Sequence, residues 1–129
     1  MKFSTRAGYG LRAVVNLAKA HPKQKSVQEI SKEEGISLKY LEQLFSTLRR
    51  NKLIASQKGR EGGYVLSKTP SNIKVGEIIE ILEGPIVTMA CAQGKCEAKC
   101  SCDSSIVWTK LQRQIKKTLY GIKLSELIK

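Results

Sequence analysis

All four cysteines of this 129-residue chain fall within twelve residues, at Cys91, Cys96, Cys100 and Cys102. Thiolates gathered on one short stretch are ligands for a soft metal or an iron–sulfur cluster, or the parts of a thiol–disulfide switch. A chain of this length buries an ordinary core without covalent staples, so the four thiols point to a site. Structural zinc sites usually pair their ligands as Cys-x-x-Cys. No such pair occurs here, where the gaps are four, three and one residues. That irregular spacing suits an iron–sulfur cluster at least as well, because its irons need ligands from several directions. Zinc, no metal, and a metal-free thiol sensor are the competing readings. Lys95 and Lys99 would offset part of a cluster's negative charge, and the only histidine, His21, belongs to an early loop.

A second chemical set lies off an apolar stripe. Leu38, Leu41, Leu44, Phe45 and Leu48 recur at helical spacing, which leaves Ser37, Lys39, Tyr40, Glu42 and Gln43 on the exposed N-terminal face. Gln bonds adenine bidentately, Lys bonds guanine or phosphate, and Glu accepts from cytosine while repelling phosphate. Arg49 and Arg50, at the far end, suit phosphates. Lys58 and Arg60 would project from a turn carrying Gly59, Gly62 and Gly63, where a narrow minor groove favours cations.

The elements that must position these groups are legible from pattern. Residues 6–20 read as a first helix with Leu11, Val14, Val15 and Ala18 on one face, ended by His21-Pro22. Ser26 and Glu29 form a capping box that opens a second helix, and Gly35 stops it. Ser37 caps a third helix running to about Asn51. Two short helices across a tight Gly35-Ile36 turn make a helix-turn-helix. Leu53–Ser56 and Tyr64–Leu66 then read as the strands of a hairpin. Val75 to Leu82 reads as a fourth helix ended by Gly84-Pro85, and the cysteine segment as a loop. A last helix, capped by Ser104 or Ser105, runs to about Leu119 with the stripe Trp108, Leu111, Ile115 and Leu119. The fold expected is mainly α with a small β-hairpin wing, a winged helix-turn-helix followed by a long C-terminal helix.

Charge agrees. The chain carries 23 Lys and Arg against 11 Asp and Glu, a net +12. Residues 1–66 hold 13 basic and 5 acidic residues, and the remainder 10 and 6, so the excess sits with the winged helix. Such an excess points to a polyanionic partner, most often nucleic acid. No stretch approaches the roughly 18 apolar residues of a membrane span. Arg12 and Asn16 interrupt the apolar run near the N-terminus, so it reads as a helix and not a secretory leader, and a cytoplasmic protein is expected. An electron carrier seldom needs so basic a head, and aromatics at 5% argue against a single-strand stacking platform. A general nucleic-acid-binding protein is the runner-up to an operator-specific regulator.

The run Ile36-Ser37-Leu38-Lys39-Tyr40-Leu41-Glu42-Gln43-Leu44-Phe45 resembles the Rrf-two family of bacterial winged-helix regulators. The segment Gly59–Leu66 is similar to that family's glycine-rich wing, and so are the opening segment through Tyr9 and the stretch Ile73–Ile79. The resemblance implies a non-enzymatic regulator that binds a double-stranded, pseudo-palindromic DNA operator as a homodimer built through the last helix. It places Ser37, Lys39, Tyr40, Glu42 and Gln43 at base-reading positions. It also implies three organisational units: residues 1–84 as the DNA-binding domain, 85–103 as a cysteine-rich sensing loop, and 104–129 as the dimerisation helix and tail. Cluster-binding members use three cysteines with five residues between neighbours, often completed by a histidine three residues after the third. Cys96 and Cys102 keep that gap, and Cys102 stands six before Trp108 as in the family. Cys91 matches the first ligand with one residue missing. Ser105 occupies the histidine's place, which makes Cys100 the candidate fourth ligand. The cofactor so implied is an iron–sulfur cluster, 2Fe–2S rather than 4Fe–4S. The wing departs from the pattern: Lys58 stands where the family often has Arg, with Arg60 two positions on.

Overall fold

In the computed structural model, residues 2–59, 62–89 and 103–128 are described. Five helices and one hairpin follow in the expected order: α1 Thr5–Ala20, α2 Val27–Glu34, α3 Leu38–Arg50, β1 Ile54–Gln57, β2 Gly63–Leu66, α4 Val75–Glu83 and α5 Ser105–Tyr120. Among the described residues are two 3₁₀ turns, Pro70–Asn72 and Leu124–Leu127, that the sequence pattern does not announce.

Local chemistry sets the boundaries. The Ser26 hydroxyl accepts from the Glu29 backbone N–H at 3.1 Å and also faces the Glu29 carboxylate at 3.3 Å, so the box closes through the hydroxyl. Gly35 ends α2 with φ +67°, a left-handed conformation that glycine adopts without steric cost. Ser37 then caps α3 by accepting from the Tyr40 N–H at 3.3 Å. Across the turn, the Ser31 hydroxyl donates to the Ile36 carbonyl at 2.6 Å and fixes the angle between the two helices.

The main core lies where α1, α2, α3 and α4 converge. Val14, Leu17, Ile30, Leu41, Phe45, Leu48, Ile54, Ile73 and Ile78 are wholly buried there. Burial of each such side chain stabilises by about 1.5–3 kcal/mol. Small residues on α1 let α4 approach closely, and any side chain at Gly10 would meet Leu82. The antiparallel hairpin pairs Ile54 with Leu66 and Ser56 with Tyr64. It is tied to the loop before α2, because Lys25 and Tyr64 exchange backbone hydrogen bonds at 3.0 and 2.8 Å. The Tyr64 ring also meets Phe45 edge-on, 5.1 Å between centroids. The wing is thus fixed to α3 on one side and to the loop before α2 on the other.

Helix α5 differs from the rest, because none of its residues is buried. It rests on α4 through a smaller apolar seam in which Ile115, Leu119 and Ile122 meet Ala7, Val75, Ile79 and Ile86. The Tyr120 ring lies on Gly76, where a Cβ would overlap it. Beyond α5 the chain turns back: Leu124 is wholly buried in the main core and donates its N–H to the Ile73 carbonyl at 2.8 Å. Of the stripe expected for α5, Trp108, Ile115 and Leu119 are half-buried, whereas Leu111 is 42% exposed beside Val107 at 58%.

Polar side chains bind distant segments. Buried Asn16 accepts from the Lys25 ammonium at 2.6 Å and donates to Glu34 at 2.7 Å, while Lys25 pairs with Glu33. The Ser4 hydroxyl and N–H both donate to Glu83, joining the start of α1 to the end of α4. Hydrogen bonds from Lys25 and then Asn16 hold the Glu33 carboxyl below its ordinary value, and the Ser4 hydroxyl does the same for Glu83. A depressed carboxylate contributes stability above its unfolded pKa and loses it as pH falls through the folded one. Thermal midpoints should therefore drop on acidification below about pH 5. Glu33→Gln should flatten that slope in scans across the same range.

Candidate nucleic-acid interface

The outer face of α3 is a continuous polar strip. Lys39, Glu42, Gln43 and Arg50 line one open groove together with Ser46 and Thr47. The first four were expected from the sequence; Ser46 and Thr47 were missed, since small polar residues inside a helix give no signal of their own. Lys39, Glu42, Gln43, Arg49 and Arg50 are exposed. Their opposite neighbours Leu41, Leu44, Phe45 and Leu48 are at most 3% exposed, so the helix cannot rotate about its axis without unburying the core. The Arg50 guanidinium donates to the Thr47 hydroxyl at 3.3 Å, which holds it along the helix. Ser37 is exposed, with its side-chain oxygen committed to the cap.

Tyr40 lies differently from the rest of the set. It is half-buried and turned towards α1, with its hydroxyl 3.4 Å from that of Thr5. Its ring meets Tyr9 edge-on at 6.0 Å, and the Arg12 guanidinium stands 5.6 Å over Tyr9. Such contacts each contribute about 0.5–1.5 kcal/mol. Tyr40 therefore braces the start of α3 against α1. Tyr9 and Arg12 bring an aromatic ring and a cation to the flank of the strip, an arrangement that a contact 31 residues long in sequence kept out of view.

Lys58 is exposed beside the wing turn, which closes with a Gly62 N–H to Gly59 carbonyl bond of 3.2 Å. Gly62 has φ +65°. Arg60, the other wing cation, lies outside the described residues, and so do Cys91, Cys96, Cys100 and Cys102. The described residues on either side of the cysteine segment are joined. The Thr88 hydroxyl donates to the Trp108 carbonyl at 2.7 Å, and the Thr88 N–H donates to the Gln112 side chain at 3.1 Å. The chain leading into the cysteines is thus fastened to the first turns of α5. Among the described residues no group of three His, Cys, Asp or Glu side chains could hold a metal ion. In chemical type the four cysteines of the sequence fit an iron–sulfur cluster, since soft thiolates are the ligands that such clusters take.

A helix-turn-helix whose second helix presents a polar strip, followed by a hairpin carrying a cation, defines a winged-helix DNA-binding protein. Residues 3–129 match the Rrf2 family, described as iron-dependent transcriptional regulators. The chain is 37% identical over 131 residues to the HTH-type transcriptional regulator IscR of Erwinia tasmaniensis, covering 99% of this chain and 79% of that protein. Identity to the IscR of Serratia proteamaculans is 38% over 132 residues, with the same coverage. Among solved structures, CymR of B. subtilis, titled its global cysteine regulator, superposes with a TM-score of 0.85 at 34% identity, covering 98% of this chain and 95% of that one. The IscR of T. potens gives 0.81 at 34% identity, covering 98% and 85%. The chain belongs to the Rrf2 family. It is a transcriptional regulator of the IscR and CymR type, not an enzyme, and no helix among the described residues is long and apolar enough to cross a membrane.

Proposed function

We propose that this regulator binds a two-fold operator as a homodimer and adjusts that binding through an iron–sulfur cluster held by its cysteine segment. Residues 1–84 act as the reading head, 85–103 as the sensing loop, and 104–129 as the dimerisation helix and tail, in a cytoplasmic setting. The observation that carries the reading is α5, which buries none of its residues within the chain and yet is fastened to the cysteine segment through Thr88. Exposed Val107 and Leu111 lie on one side of α5 and would be covered by the partner's equivalent helix. Exposed Ile106, at 58%, stands in the same first turns.

Cys91, Cys96 and Cys102 are the proposed ligands, with Cys100 as the fourth, and a 2Fe–2S cluster is favoured over 4Fe–4S. When bound, the cluster supplies a redox- and ligand-sensitive tie between the two sides of the loop. The chain's own residues do the rest. Thr88 passes a change in the loop to the first turns of α5, and α5 sets the spacing of two heads that must meet major grooves about 34 Å apart. Anaerobic purification tests the cofactor. A visible spectrum with iron and sulfide in equal amounts supports it, and a colourless, iron-free protein refutes it.

On DNA, Lys39, Glu42 and Gln43 are the proposed base readers, Ser37 and Tyr40 orient the start of the helix, and Arg49, Arg50, Lys58 and Arg60 take phosphates or the minor groove. Gln43→Ala should cost about 1–3 kcal/mol at one base pair and relax the preference there. Arg50→Ala should instead weaken all sequences alike and reduce the salt slope by about 1. Salt titrations on matched and single-substituted operators separate the two.

A second reading keeps the regulator and removes the metal. The likeness extends to the oxidised form of Staphylococcus aureus CymR, 31% identical with a TM-score of 0.76 over 96% of this chain and 93% of that one. In that reading the cysteines form a thiol–disulfide sensor, and mass spectrometry after mild oxidation would find a two-hydrogen loss within residues 91–102.

A further inference from the structure

An open cavity of about 370 Å³ lies where the end of α3, the roots of both strands, α4 and the end of α5 meet. Leu53 and Ile81 supply its apolar lining and Asn51 a neutral polar one. Both charges line it as well: Lys52 and Lys68 come from the α3–β1 and β2 ends, while Glu77 and Glu80 belong to successive turns of α4. The Tyr120 hydroxyl faces the two carboxylates. Its pKa is raised by burial first, then by a hydrogen bond to Glu80 and by the charges of Glu80 and Glu77. The carboxylates are paired only loosely: Lys68 stands 3.9 Å from Glu77 and Lys116 4.0 Å from Glu80, both at the limit of ion pairing. Lys52 is unusual in its own right, because it holds φ +61° as the only described non-glycine residue with positive φ. It follows the end of α3, its N–H bonding the Arg49 carbonyl at 3.0 Å. Glycine fits such a helix end without steric cost. A lysine there instead places a cation on the cavity rim.

An open site lined by two carboxylates, two ammonium groups and an apolar patch suits a small molecule carrying both charges, and this volume is within the range of ligand pockets, roughly 300–1,000 Å³. We propose that the cavity binds a free amino acid, its ammonium between Glu77, Glu80 and the Tyr120 hydroxyl and its carboxylate at Lys52 and Lys68. Tyr120 belongs to α5, and Lys52 adjoins the reading helix. An amino acid lodged between them ties the head to the dimer helix, giving the regulator an input separate from its cysteines.

Thermal unfolding of the full chain without DNA, against the twenty amino acids singly, tests this. Sodium acetate and ammonium chloride serve as single-charge controls. At least one amino acid should raise Tm by roughly 5–10 °C at a hundredfold excess over its Kd, and neither control should. Tyr120→Phe keeps the ring on Gly76, and Lys68→Gln is exposed, so both should fold with nearly unchanged Tm and bind that amino acid at least about tenfold more weakly. Lys52→Gly should move the two readouts in opposite directions, with a higher Tm for the unliganded protein and weaker binding. The proposal is overturned if no amino acid shifts Tm, or if the shift survives Lys68→Gln and Lys52→Gly undiminished. The assay reads neither iron nor DNA, so its failure leaves the cysteine-loop proposal as it stands.

Discussion

Phe45→Ala should lower stability by about 3–5 kcal/mol and, at this chain length, Tm by roughly 10–20 °C. Phe45 heads the fully buried side chains by volume, with no solvent exposure. It is also the residue through which α3 holds the wing, by its edge-on contact with Tyr64. Truncation leaves a cavity between the reading helix and the hairpin, and the surrounding α1–α4 packing can relax only in part. Whole domains are stable by only about 5–15 kcal/mol, so this one change removes a large share. Operator binding should fall with it, because Lys39, Glu42 and Gln43 stay on the outer face only while Phe45 anchors the inner one. Circular dichroism melts give the first quantity directly. Phe45→Leu, which keeps most of the volume, should recover more than half of the loss. A cost below about 1 kcal/mol for the alanine variant would mean that this core is not what orients α3.

Cys96→Ala should remove the iron–sulfur cluster and leave the head folded. The winged-helix head is built from the elements between Thr5 and Glu83, and Cys96 lies beyond them in the sequence, so far-ultraviolet spectrum and unliganded Tm should be nearly unchanged. Iron and sulfide, by contrast, should fall to background, since the cluster would lose one of its four proposed thiolates and a carboxylate or hydroxyl is a poor replacement for one. A full visible spectrum in Cys96→Ala would overturn the ligand assignment. The comparison of Cys100→Ala with Cys102→Ala then ranks the two neighbouring thiols.

Local signals were the most readable part of the chain. Ser26, Gly35 and Ser37 each do in space what their spacing announced, because a cap is decided within three or four residues. The strip Lys39, Glu42, Gln43 and Arg50 was equally legible, since helical period alone separates it from Leu41, Leu44, Phe45 and Leu48. What period cannot tell is which surface an apolar face meets. The α5 stripe Trp108, Leu111, Ile115 and Leu119 does not itself say how it divides: in this chain it buries nothing fully and Leu111 faces outward. Contacts closed over long separations were also invisible: Ser4 with Glu83, Tyr9 with Tyr40, Lys25 with the wing. Leu124 passed as part of a trailing segment and is instead wholly buried in the main core. The cavity lined by Tyr120 draws on five elements or their ends, none of which carries a motif for it.

The central claim is that the cysteine segment and the reading head are energetically coupled. Couplings of this kind are typically about 1–3 kcal/mol, or roughly 5–150-fold in affinity. The measurement that tests it most directly is the Kd for operator DNA of anaerobically cluster-loaded and cluster-free protein, at one salt concentration. The two should differ by at least about fivefold on one operator or more. Equal affinities on every operator would contradict it.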